Sequence, residues 1–225
     1  MKLAKPRMDI GLFTDHRDAH VAFWRDDVGL RLDHVLEVGT GWIQHRFDAN
    51  GSVVKVNERA EGLRQPAGSG YAKLLIARDD SPGFVGETPD GDRVRVVPSG
   101  EDGVAGIGIV ITSNRPAQLR NFYLDVLQFD DAGDNAVRCG DTVLRFARGR
   151  RGSETSDFAA SGYRYTTVQV YDADREVAGI VRRGGRVVRK VISLAGVARY
   201  GFVADLDGNW IEISARTSLT GVEVR

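Results

Sequence analysis

Apolar and polar positions follow an order that recurs along the chain. Residues 9–14 form a short apolar run of strand character, and the polar break at 15–18 offers Asp15 or Asp18 as a helix cap. Val21, Phe23, Trp24 and Val28 then recur near helical spacing, and Gly29 stands where a helix C-cap glycine belongs. Three alternating segments follow at 32–38, 42–47 and 52–57, divided by the turn signals at 39–41 and Asn50-Gly51. This unit reads βαβββ.

The order restarts after the Gly- and acid-rich break at 98–103. A strand at 107–112 precedes a helix at 116–127, with Pro116 in its first turn and Phe122-Tyr123 where the first unit carries Phe23-Trp24. Short strands at 136–139 and 142–147 complete this copy, and the polar stretch 148–161, with its arginine-glycine steps, reads as a linker. A further copy begins at Tyr163. It has a strand through Val170, a helix near 174–183 stopped by Gly184-Gly185, and strands at 187–192, 199–204 and 210–214. Between these copies, 71–77 and 93–97 read as the opening and closing strands of a unit without its helix. The expected fold is therefore α+β, with repeated βαβββ units arranged as two halves, 1–100 and 103–216. A βαβββ unit exposes a curved sheet that another unit must cover or continue, and the pairing leaves a concave, sheet-lined cup suited to a small molecule.

Composition narrows the function classes. The chain has 225 residues, 42% of them hydrophobic, enough to bury a core. Its 31 basic and 31 acidic side chains leave no cationic surplus of the kind nucleic-acid and anionic-membrane binders use, so neither partner is expected. The single Cys139 can form no internal disulfide or thiolate zinc cluster, which fits a reducing, cytoplasmic location. Apolar runs stay below the roughly 20 residues of a membrane span, and the N-terminal segment turns charged where a signal peptide would stay apolar.

Three motifs carry a resemblance. Phe122-Tyr123-Leu124-Asp125-Val126-Leu127 resembles the Phe-Tyr-x-Asp-x-Leu helix end of the vicinal-oxygen-chelate superfamily, which includes glyoxalase I, bleomycin-resistance proteins and extradiol dioxygenases. Phe23-Trp24-Arg25-Asp26-Asp27-Val28-Gly29-Leu30 is similar to it. Asp205-Leu206-Asp207-Gly208-Asn209-Trp210-Ile211-Glu212 resembles the superfamily's closing strand, and is echoed by Thr88-Pro89-Asp90-Gly91-Asp92-Arg93-Val94-Arg95. The resemblance implies two glyoxalase-like halves and, since members often pair, a homodimer. It implies fold more strongly than reaction, because one fold hosts many chemistries.

The resemblance also implies where a metal would sit. In the superfamily's enzymes His from first strands and Glu from closing strands hold a divalent Fe, Mn, Ni or Zn ion in the cup, leaving positions open for two neighbouring substrate oxygens. The corresponding first-strand positions here are Asp9, Gly106 and Tyr165, and the closing positions are Lys55 or Arg95, Arg145 and Glu212. Of these, Glu212 matches. Asp9 suits a hard metal, but two carboxylates without an imidazole hold Fe(II) or Zn(II) weakly. The expectation is a protein that binds a small organic molecule with the conventional metal site degraded, as a binding module or a metal-independent enzyme. The alternative is a divalent-metal-dependent lyase, isomerase or ring-cleaving dioxygenase using Glu212 and His45 as displaced ligands, with Tyr165 as acid or base.

Strand parity names the pocket. Trp210, Glu212 and Ser214 share one face and Ile211 and Ile213 the other, so Glu212 is expected to face the cup with Arg145 as its counter-charge. Tyr163, Tyr165, Thr167 and Gln169 form a polar, aromatic row expected to meet that face and to stack on and hydrogen-bond a ligand, with Trp210 adding area. His45 alternates with Ile43 and Phe47, with Gln44 and Arg46 on the other face, and reads as a pocket residue, a buried, hydrogen-bonded histidine or a surface residue. His16 and His20 read as solvated helix caps, and His34 as a core-facing or edge histidine satisfied by backbone. Cys139 has no companion histidine nearby and is not expected to act as a nucleophile.

Overall fold

The computed structural model describes residues 1–38, 41–63, 68–80, 83–150 and 159–224. Part of the turn at 39–41 and most of the linker at 148–161 lie outside the described residues. The first unit is β1 (Asp9–Phe13), α1 (Arg17–Ala22) running on as a wider helical turn at Phe23–Asp27, β2 (Arg31–Glu37), β3 (Trp42–Ala49) and β4 (Ser52–Arg59). The second has no helix and comprises β5 (Tyr71–Ala77), β6 (Val85–Glu87) and β7 (Arg93–Val97). The third is β8 (Ile107–Ser113), α2 (Pro116–Asp125), β9 (Asp130–Asp131), β10 (Ala136–Cys139) and β11 (Thr142–Arg148). The fourth is β12 (Gly162–Gln169), α3 (Ala173–Arg182), β13 (Arg186–Leu194), β14 (Ala198–Ala204) and β15 (Trp210–Arg216).

The aromatic pairs shared by the first and third units do the same structural work. Val28 N–H donates to Phe23 O and Leu30 N–H to Trp24 O; in the third unit Leu127 N–H donates to Phe122 O and Phe129 N–H to Tyr123 O. These bonds, longer-range than the i−4 bonds of an α-helix, widen the last turn so that both adjacent rings point inward, and all four are buried. The fourth unit's α3 instead starts on a side-chain cap, Asp172 accepting from Arg175 N–H at 3.0 Å, and buries Val177 and Ile180.

Two open sheets result. The eight-stranded sheet has the order β13-β14-β15-β12-β1-β4-β3-β2, and the seven-stranded sheet has the order β6-β7-β5-β8-β11-β10-β9. The first unit thus continues into the fourth, and the second into the third. Each sheet draws one unit from the stretch 1–100 and one from 103–216, so the two sheets do not coincide with those stretches.

The apolar parity of both sheets and the helices forms one continuous core, including Ile10, Val54, Ile211, Ile109, Leu144 and Tyr123. Buried polar bonds lock the sheets together. Asp205 accepts from the backbone N–H groups of Asp207 and Asn209, from Asn209 Nδ2 and from Tyr123 OH, while Asn209 Oδ1 accepts from Gly70 N–H. Burial still raises Asp205 to about 6. Tyr71 OH donates to Trp210 O at 2.8 Å. The Asp-x-Asp-Gly-Asn turn is accordingly a structural clasp, with Gly208 at φ +83° completing it. Among the described residues no helix is long and apolar enough to cross a membrane.

Candidate functional site

The concave face of the eight-stranded sheet carries the candidate site. Where β1 and β4 run parallel, Gly11 lies beside Lys55; where β1 and β12 run antiparallel, Asp9 faces Thr167; and where β12 and β15 run parallel, Thr167 faces Glu212. The cup positions that β1, β4, β12 and β15 supply to this row are Asp9, Lys55, Thr167 and Glu212. Lys55 Nζ is 2.9 Å from Glu212 Oε2 and also donates to Thr167 Oγ1, whose hydroxyl donates to Glu212 Oε2. Asp9 is held by Lys5 Nζ at 2.6 Å and by Val53 N–H at 2.9 Å.

Charge and burial pull against each other here. Burial lowers the pKa of Lys55, and the neighbouring Glu212 and Asp9 carboxylates restore only part of the loss. Burial would raise Asp9, but the charges of Lys5 and Lys55 outweigh it and hold Asp9 below the usual carboxylate range. Burial, with the Glu212 charge adding to it, pushes the Tyr165 phenol far above its ordinary value, so the phenol stays protonated.

An aromatic wall flanks this row. Tyr165 packs with Phe13, Phe202 and Trp210, and Trp42 sits 5.3 Å from the Phe13 ring. Gly11 makes the packing feasible, since a Cβ there would fall 2.2 Å from Tyr165 ring carbons. Asn57, fully buried, organises the polar side of the wall. Its Oδ1 accepts from Trp42 Nε1 and Gln44 Nε2, and its Nδ2 donates to Leu12 O and to Tyr165 OH. Arg46 Nη1 donates to Gln44 Oε1. A cavity of about 40 Å³ opens among Arg46, Lys55, Tyr165, Glu212 and Arg216, with Leu36, Val38, Leu194 and Val197 toward the rim.

Tyr165, Thr167, Gln169, Trp210 and Glu212 therefore share one face, as parity indicates. Four expectations are corrected. Arg145 does not meet Glu212: it lies on β11 in the other sheet, where its Nη2 donates to Asp102 O at 2.6 Å. Lys55 takes its place because β15 reaches β4 through β12 and β1. Tyr163 leaves the row because the β1–β12 pairing is irregular. Gly11 faces Tyr165 while the next residue, Leu12, faces Tyr163, so Arg164 is an extra residue that reverses the parity. Tyr163 thus joins Leu12 in the core. His45 pairs with Val56 on the core side of β3, 3.8 Å from Glu58 Oε1, so it points away from the cup and cannot ligate a cation with Glu212. His20 is no solvated cap: it is fully buried, with Nε2 2.9 Å from Asp90 Oδ2, and His16 Nδ1 meets the same carboxylate at 3.0 Å.

Sequence reasoning missed Trp42, Gln44, Arg46, Asn57 and Arg216. Their shared signal is a polar parity on strands whose opposite parity is apolar, which reads equally well as a solvated face. Cys139 is buried, and burial pushes its thiol up to about 12, consistent with an unreactive side chain.

Known proteins bear on this architecture. Residues 107–213 match the model of the Glyoxalase/Bleomycin resistance protein/Dioxygenase superfamily, a segment that covers the third and fourth units and stops short of the first unit's share of the cup. Glyoxalase I from Zea mays is similar in structure, with a TM-score of 0.71 at 13% identity over 93% of this chain and 92% of that one. The cppA protein from Streptococcus pneumoniae TIGR4 is similar with a TM-score of 0.58 at 11% identity over 96% of this chain and all of that one, 100%. No curated protein matches the chain by sequence. At such identities structural likeness speaks for fold alone. The chain thus carries the superfamily's match over its third and fourth units, residues 107–213, and shares the glyoxalase fold along nearly its whole length.

Proposed function

We propose that the protein binds a small organic molecule in the cup of the eight-stranded sheet and does so without a divalent metal. The observation that carries this reading is the Lys55 ammonium, seated 2.9 Å from Glu212 and bonded to Thr167 in the row where the superfamily resemblance puts metal ligands. The donor set does not fit a divalent cation. Glu212 already accepts from an ammonium and a hydroxyl, Asp9 is bound by Lys5, and among the described residues no imidazole lines the cavity and no three His, Cys, Asp or Glu side chains are grouped to hold an ion. An internal cation fills the electrostatic role that a metal would otherwise hold.

Binding is favoured over acid–base chemistry because the Tyr165 phenol stays protonated and its oxygen accepts from Gln44 and Asn57. The aromatic wall supplies contact area for an organic body, while the cavity of about 40 Å³ accommodates a few waters or one small polar group at the floor. Its small size makes a cup packed shut by its own side chains the competing reading.

Two measurements decide. Protein purified without an affinity tag should contain far less than one equivalent of Fe, Mn, Ni or Zn, and a screen of single-ring aromatic and thiol-conjugate compounds should raise Tm for some of them. Stoichiometric metal that disappears in Glu212→Ala would overturn the metal-free reading. A screen in which no compound shifts Tm would favour the packed cup.

A further inference from the structure

We infer that the polar end of the ligand is an anion, the carboxylate of a small organic acid, received by Arg46 with Lys55 and Arg216 beside it. This rests on the small-molecule reading and specifies the chemistry of its ligand.

Arg46 is 5% exposed. Its Nη1 bonds to Gln44, its Nε is buried with no hydrogen-bond partner, and no carboxylate pairs with it among the described residues. Lys55 lies directly opposite on β4, and Arg216, at the end of β15, lines the same cavity. The nearby carboxylates are taken, Glu212 by Lys55 and Thr167, Asp9 by Lys5, and Asp33, on the edge strand, by His34. The floor of the cup thus concentrates three cations, of which Lys55 has Glu212 as its counter-ion while Arg46 and Arg216 have no ion-pair partner among the described residues. Burial lowers the pKa of Arg216 and the Arg46 charge lowers it further, while the Glu212, Asp9 and Asp33 charges restore only part of the loss. An unpaired buried guanidinium is expensive, and an anion delivered by the ligand removes both the desolvation penalty and the repulsion. A guanidinium presents donors in a planar fork that matches a carboxylate, and the floor cavity of about 40 Å³ is sized for such a group with its organic body toward the aromatic wall. A neutral amide or alcohol of the same shape leaves the charges uncompensated.

Calorimetric titration of the full chain with benzoate and hexanoate, against benzamide, hexanamide and inorganic phosphate, tests this. At least one carboxylate should bind, with its matched amide weaker by about tenfold or more, and Arg46→Met should lose about tenfold or more of the carboxylate affinity. Arg46→Lys should keep part of it. The Tm of unliganded Arg46→Met should not fall, since the variant removes a buried charge that no carboxylate answers; if it does fall, Arg46→Lys, which keeps the charge and loses the fork, still has to weaken carboxylate binding. Amides that bind as well as the carboxylates overturn the anionic ligand and leave the small-molecule reading standing. Phosphate binding as tightly as the organic acids, or carboxylate affinity unchanged in both variants, also overturns it. If neither carboxylates nor amides bind, both readings fall.

Discussion

Removing the charge of Glu212 should cost more stability than removing that of Lys55. At 2.9 Å, with an effective dielectric of about 20, their attraction is about 6 kcal/mol before the cost of taking both ions out of water is subtracted. The Lys55 side chain is 5% exposed and that of Glu212 13%. In Glu212→Gln the ammonium stays buried opposite Arg46 with only the Asp9 carboxylate, itself bound by Lys5, to answer it, and the expected loss at pH 7 is about 3–5 kcal/mol. In Lys55→Met the carboxylate is nearer solvent and keeps the Thr167 hydroxyl, and the expected loss is about 1–3 kcal/mol. The double variant should be more stable than Glu212→Gln alone, because the ammonium is removed together with its carboxylate.

The pH dependence has a definite sign. The folded pKa of Lys55 lies below its unfolded value, about 10.4, so between the two the unfolded chain holds a proton that the folded chain has shed, and stability rises with pH. Glu212 had been raising the Lys55 pKa, so Glu212→Gln extends that window downward and its deficit should shrink as pH climbs from neutral toward the unfolded pKa. Urea unfolding followed by tryptophan fluorescence, at neutral and alkaline pH, measures all of this. Equal losses for the two single variants, a deficit that grows with pH, or a double variant as unstable as the sum of the singles would refute the reasoning.

Gly11→Ala should cost about 1–3 kcal/mol of stability by urea titration, because its Cβ meets the Tyr165 ring at 2.2 Å, and adding Tyr165→Leu should recover part of that loss. Asp92, pushed up to about 7 chiefly by burial, binds its proton more tightly when folded than when unfolded, where its pKa is near 3.8. Its contribution is complete below that unfolded value and is lost as pH rises through about 7, so Asp92→Asn should raise Tm relative to the parent in mildly alkaline buffer and not in acid, as read by differential scanning fluorimetry.

Strand spacing and helix ends were legible because period-two alternation, glycine turns and the Phe-Trp and Phe-Tyr pairs are local signals. The closing motif was equally legible, since Asp205 collects its donors within a few residues apart from Tyr123. The failures lie where distant chain segments decide. Nothing near Glu212 says that β4 rather than β11 lies across from it, so Lys55 was noted only as a position lacking a metal ligand and Arg145 received the role of counter-charge. Parity carried from Tyr165 back to Tyr163 broke at Arg164, where one extra residue turns a side chain from cup to core. On β3 the polar side, Gln44 and Arg46, is the inward lining of a cup, and polarity alone cannot tell that from a solvated face.

The joining of the first unit to the fourth places Lys55 and Glu212 157 positions apart in sequence. At typical elongation rates the ribosome delivers the lysine roughly 8–30 s before its carboxylate, whereas the strands of the seven-stranded sheet, at 71–148, have all emerged earlier. Throughout that interval Lys55 and Arg46 sit on a nascent sheet whose neighbours β12 and β15 do not yet exist, and these long-range pairings are the slow ones to form. A chain released before β15 would carry an ammonium destined for burial without the carboxylate that pairs with it. The row at the floor of the cup is thus complete only when its last strand, β15, has been made.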